Sequence, residues 1–186
     1  MRDPSSEGRV PPADSDVDAT VLLALVDQIV GSGDPRDERA RAAAEVIQRA
    51  TDARWVGIYD VGSADIAVLG WHGPSAPAHP RFPRGEGLSG AAVQLGHAVV
   101  VGDVSSDQRY LPTLSDTRSE VIVPITRAGT VCGTLDVESD RPNAFGAERV
   151  ALLEDVALAL AGLWAAPDVS TASSPSRAGS SGESKS

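Results

Sequence analysis

Five strand-like segments, joined by short turns and bracketed by helical stretches, restrict this chain to few folds. They fall at residues 54–60, 65–71, 98–101, 120–126 and 130–139. The links VGSAD, between the first two, and RAG, between the last two, are short, turn-forming and suited to antiparallel hairpins. Upstream, Leu22, Leu25, Val26 and Ile29 recur at i, i+3, i+4 and i+7, one apolar stripe of a helix. Gly31 and Gly33 end that helix. Asp34-Pro35 restarts the chain, reading as an N-cap followed by proline at the first helical position. Ala43, Val46, Ile47 and Ala50 repeat the spacing in a second helix that runs to about Thr51. Residues 88–95 read as a short helix. Asn143 reads as the cap of a last helix in which Val150, Leu153, Ala157 and Leu160 share a face, ending near Trp164.

This order predicts an α+β fold: a central antiparallel sheet with the N- and C-terminal helices packed together on one face. The long connections 72–97 and 102–119 must then cover the other face, and loops over a sheet commonly build a ligand cavity. At 186 residues the chain suits one domain with a core rather than two. We expect that domain at residues 19–166. Residues 1–18 are polar and rich in Pro, Asp and Ser, and the tail 167–186 holds eight serines, so both are expected to be disordered.

The net charge of −10 and a pI near 4.6 argue against nucleic acid, which needs clustered cations. The chain has 15 arginines, a single lysine at Lys185, and no basic run. No apolar run approaches the roughly 20 residues of a membrane span. The acidic, proline-rich start is unlike a signal peptide, so the expectation is a cytoplasmic protein with no membrane partner. Cys132 is the only cysteine, which excludes an internal disulfide, a Cys-rich zinc site and a dithiol cycle within one chain. His72, His79 and His97 match no common metal spacing, and no metal or cofactor is expected.

Several short pieces, taken in order, resemble a GAF domain. They are G-x-x-G at Gly87 and Gly90, Asp103-Val104, Ser119-Glu120-Val121 with Val123-Pro124-Ile125, and the run from Gly133 to Ser139, with ARWVGIYDV upstream. The resemblance covers about residues 20–165 and implies the GAF fold, with a ligand pocket on the sheet face opposite the terminal helices. Within that superfamily the chain is most similar to the free methionine-(R)-sulfoxide reductases, through the WxGxY strand from Trp55 to Tyr59 and the loop leading into Ser119-Glu120. Their chemistry needs a nucleophilic thiolate and a second, resolving cysteine. Here Ser89 stands in the turn where those enzymes have one cysteine, and alignment of the loop puts Thr113 where the catalytic one would be. Cys132 lies in a strand, where a buried thiol packs as a small hydrophobe.

The resemblance further implies that Glu120, Asp136 and Glu138 match the carboxylates with which the reductases hold an amino group. Strand alternation supports part of this independently. Cys132, Thr134, Asp136 and Glu138 alternate with Val131, Leu135 and Val137, so the acids share one face, either lining a pocket or facing water at a strand end. Trp71, Phe82 and Tyr110 flank the long connections and are candidates to cover a cation with their rings, whereas Trp55, Tyr59 and Phe145 read as core. The expectation is a non-catalytic sensory domain for a small cationic or amino-acid-like ligand. It would signal through its terminal helices, to a partner protein or across a homodimer, although the helices' apolar stripes can equally cover the sheet. The alternative is a divergent free methionine-(R)-sulfoxide reductase.

Overall fold

The computed structural model describes residues 19–112 and 114–165. The two terminal segments expected to be disordered, Ala166 and Thr113 lie outside the described residues. Helices α1 (Ala19–Val30) and α2 (Arg36–Thr51) lead into β1 (Trp55–Val61), β2 (Asp65–His72) and the short β3 (Arg81–Pro83). Helix α3 (Gly87–Leu95) and β4 (Val99–Val101) follow. The chain then forms β5 (Ser119–Arg127), β6 (Thr130–Ser139) and α4 (Ala147–Leu160), and closes in a 3-10 turn at Ala161–Trp164. The six strands form one sheet in the order β3-β2-β1-β6-β5-β4, every neighbouring pair antiparallel.

Alternation along the strands gives the sheet two apolar faces. Val56, Ile58, Val121, Val123, Ile125, Leu135 and Val137 point to one side, where α1, α2 and α4 supply Leu22, Val26, Ile47, Leu153, Val156 and Leu160. Of the expected α1 stripe, Leu22 and Val26 are buried there while Leu25 remains 40% exposed. The opposite face carries Trp55, Tyr59 and Ile66 under the first long connection, and Val99, Val101 and Ile122 under α3, which contributes Leu88 and Ala92.

Four local readings need correction. Helix α2 starts at Arg36, not Pro35, because Pro35 is extended with ψ 145° and itself occupies the cap position. Asp34 does not cap; its carboxylate accepts a hydrogen bond from the Ser32 hydroxyl instead. Asn143 caps nothing either. It sits in the left-handed region at φ 52°, its N–H donating to Gly102 O, and α4 begins only after Gly146. The first long connection is not wholly loop, since β3 pairs along β2 through Ile66 and Phe82. The fourth concerns Cys132. The β5–β6 register passes from Ile125–Gly133 to Thr126–Val131, so β6 bulges at Cys132. The extra residue reverses the alternation, and Cys132 packs against the helix-side core rather than sharing the face of Asp136 and Glu138.

Candidate functional site

Beyond the bulge β6 alternates regularly. Leu135 and Val137 enter the helix-side core, which sends Thr134, Asp136 and Glu138 to the opposite face. The β5–β6 register sets Glu120 directly beside Glu138, and Asp136 lies between Ile122 of β5 and Gly57 of β1. The three acids are not at a wet strand end: Glu120 is 5% exposed, Asp136 4% and Glu138 fully buried. One carboxylate oxygen from each lies within 4.8 Å of the others.

Carboxylates so close and so dry resist ionisation. Burial first, then the neighbouring acids, push Glu120 and Asp136 well above the usual carboxylate range. Each carboxyl lies in the field of the other acids of the cluster, which favours its neutral form. Tyr59 is likewise held protonated, by burial and then by the fields of Asp136, Glu138 and Glu120. The Thr117 hydroxyl donates to Glu138 Oε2. Among the described residues, Glu120 Oε2, Asp136 Oδ1 and Thr134 Oγ1 have no hydrogen-bond partner, and neither Glu120 nor Asp136 forms an ion pair.

Over the acids lies a cavity of about 20 Å³, bounded by Tyr59, His79, Phe82, Gly87, Leu88, Ser89, Leu111, Glu120 and Asp136. Its volume corresponds to about one water molecule. Of the residues expected at the site, Phe82, Ser89, Glu120 and Asp136 meet at this cavity, and Glu138 joins through the carboxylate cluster. Trp71 does not line the cavity and instead stacks on Trp55, with ring centroids 6.4 Å apart. Tyr110 packs with the Leu88–Ile122 cluster, and its hydroxyl donates to Leu114 O at 3.4 Å. Thr113 lies outside the described residues.

Sequence reading missed Tyr59. Its ring is buried, as core residues are, yet it lines the cavity and meets Phe82 edge-on at 5.8 Å. Only its register opposite Thr134 reveals this. Gly57 explains how the rings fit: a Cβ there would overlap the Trp55 ring and fall 2.8 Å from Tyr59. Both aromatics therefore lean over the same backbone position.

The GAF domain profile matches residues 35–163, nearly all of the described chain. The chain belongs to the GAF domain family. This GAF domain is 35% identical over 92 residues to GAF domain-containing protein A of Dictyostelium discoideum, a match covering 49% of the chain and 57% of that protein. It is 30% identical over 101 residues to the free methionine-R-sulfoxide reductase of Escherichia coli, covering 54% of the chain and 59% of the enzyme. The chain thus spans less than two thirds of either relative. Among solved structures, the free methionine-R-sulfoxide reductase of Neisseria meningitidis in complex with its substrate superposes with a TM-score of 0.73. The two are 27% identical, over 83% of this chain and 93% of that one.

In this GAF domain the one thiol lies across the sheet from the carboxylates. Cys132 Sγ donates to Ile125 O at 3.3 Å, and burial pushes the thiol above its ordinary pKa. That is the opposite of the activated thiolate a nucleophilic cysteine needs. Among the described residues no helix is long and apolar enough to cross a membrane.

Proposed function

We propose that this GAF domain binds a small, positively charged ligand at Glu120, Asp136 and Glu138 and carries out no chemistry on it. One observation carries the reading: three buried carboxylates crowd together, and two of them lack an ion-pair partner among the described residues. Buried charge is ordinarily paired or neutralised, because desolvation costs several kcal/mol per ion. A bound cation would supply the missing charge. Phe82 and Tyr59 line the same cavity, where aromatic rings can favour a cation. The signal would pass to a separate protein or a second copy of the chain through the terminal helices, which share the core behind the sheet.

The similarity to the reductases raises a second reading, a divergent free methionine-(R)-sulfoxide reductase. Against it stand Ser89 at the cavity in place of a thiol and Cys132 behind the sheet. A hydroxyl cannot reduce a sulfoxide as a thiolate does. One assay separates the two readings: incubate the protein with free methionine-(R)-sulfoxide and a thiol reductant, then measure methionine. No turnover is expected above the reductant alone. Turnover abolished by Cys132→Ser would overturn the non-catalytic reading. Binding is tested separately, by thermal stabilisation across amino acids, polyamines, simple ammonium ions and divalent metals. Stabilisation by none of them would overturn it.

A further inference from the structure

The acidic cavity has room for only the head of a ligand, and its walls show where the rest would lie. Resting on the cation reading above, we propose that the ligand is a short peptide held by its amino terminus. The terminal ammonium enters beside Glu120 and Asp136, and the amide chain behind it lies in an outer groove between α3 and the second long connection.

The inner cavity of about 20 Å³ accommodates one water-sized group, such as an ammonium. Glu120 Oε2 and Asp136 Oδ1 are buried there without a hydrogen-bond partner among the described residues, and an ammonium brings three N–H donors. Any larger body must leave the cavity. Gly87 and Leu111 line it, and the same two residues line the outer groove, whose volume is about 490 Å³. That is the size of a small-molecule site, which the inner space alone is not. Where the two spaces share walls, a leucine side chain sits on a residue that has none. A Cβ on Gly87 would fall 2.9 Å from Leu111 Cδ1, and Gly87 has φ 73°, in the left-handed region that favours glycine. Rotation of Leu111 would join the cavity to the groove.

The outer groove has the chemistry of an amide binder. Gln94 and Gln108 place two exposed primary amides in it, each able to donate and to accept as peptide groups require. Its charges are one of each sign, Glu86 and Arg109, and Arg109 is already paired with Asp107 at 2.6 Å. A neutral amide chain suits this lining better than the second cation of a diamine. Leu95, 54% exposed on the same groove, offers apolar surface to a peptide side chain. His79, also exposed, lines the inner cavity from the first long connection, so a path past His79 is the alternative that a test must separate.

Isothermal titration calorimetry on the full chain at neutral pH compares methylammonium, glycinamide, triglycine amide and N-acetyl-triglycine amide. Glycine leads because the inner cavity leaves no room for a side chain. Triglycine amide should bind about tenfold tighter than methylammonium, the worth of one or two hydrogen bonds. The acetylated peptide has lost its ammonium and should not bind. Gln94→Ala/Gln108→Ala, a pair of surface changes, should remove most of the advantage of triglycine amide over glycinamide, while Asp136→Asn should weaken every amine. If methylammonium binds as tightly as triglycine amide, the peptide is wrong and the cation site stands. If the acetylated peptide binds as well as the free one, or if His79→Ala rather than the glutamine pair removes the advantage of length, the proposal is overturned. If no amine binds, both readings fall.

Discussion

Asp136 and Glu120 are buried with carboxylate oxygens within 4.8 Å of each other, and the consequence is a pH dependence with a definite sign. Their folded-state pKa values lie above the ordinary 3.8 and 4.5, so the folded protein holds protons more tightly than the unfolded chain. This contribution to stability is complete below those ordinary values and is lost as pH rises through the elevated ones. Relative to Asp136→Asn, the ligand-free wild type should therefore lose stability from about pH 4 upward, with a limit of about 1.4 kcal/mol per pH unit for each group. Chemical denaturation of both proteins across that range measures it. Gly57 gives a second prediction at this scale. Neither Trp55 nor Tyr59 has room to move, so Gly57→Ala should destabilise by roughly 1–3 kcal/mol. A melt within a degree of wild type would mean the two rings are packed more loosely than this.

Strand β1 joins two structures on opposite faces of the sheet. Tyr59 lines the cavity, while the next residue, Asp60, accepts from Trp164 Nε1 at 2.7 Å and from Arg36 at 2.8 Å on the helix side. Arg36 also lies over the Trp164 ring, 4.6 Å from its centroid, so this cluster ties α2 and the C-terminal turn to the sheet. Gly133 permits it, since a Cβ there would overlap the Trp164 ring. Burial alone would raise the Asp60 pKa, but the bonds from Arg36 and Trp164 outweigh it and hold the carboxyl low. Stability from Asp60 is thus present above pH 3.8 and lost on further acidification, the opposite sense to the carboxylate cluster. Trp164→Phe keeps the ring and removes the donor, and should cost about 1–3 kcal/mol, measured by urea denaturation.

The same elements mark how far the sequence could be read. Strand alternation alone groups Asp136 with Glu138, because the parity of β6 is local. The approach of Glu120 to Glu138 depends on the register between two strands, and here only the family resemblance supplies it. Tyr59 reads as core because burial and cavity lining look alike until its partner across β6 is known. The bulge at Cys132 leaves no mark in VCGTL, and β3, ending in proline, has too little length to show a period.

At the scale of the whole molecule, a GAF sheet holds a packed helical core on one face and a small acidic cavity on the other, with its only thiol on the helix side. If the cavity is built around a cation, the ligand-free protein is strained by its own carboxylates. Melting wild type, Glu120→Gln and Asp136→Asn at neutral pH, with and without the stabilising cation, tests this most directly. The account predicts that both variants melt above ligand-free wild type, and that only wild type responds strongly to the cation. Variants that melt below ligand-free wild type, together with a wild type that no cation stabilises, would contradict it.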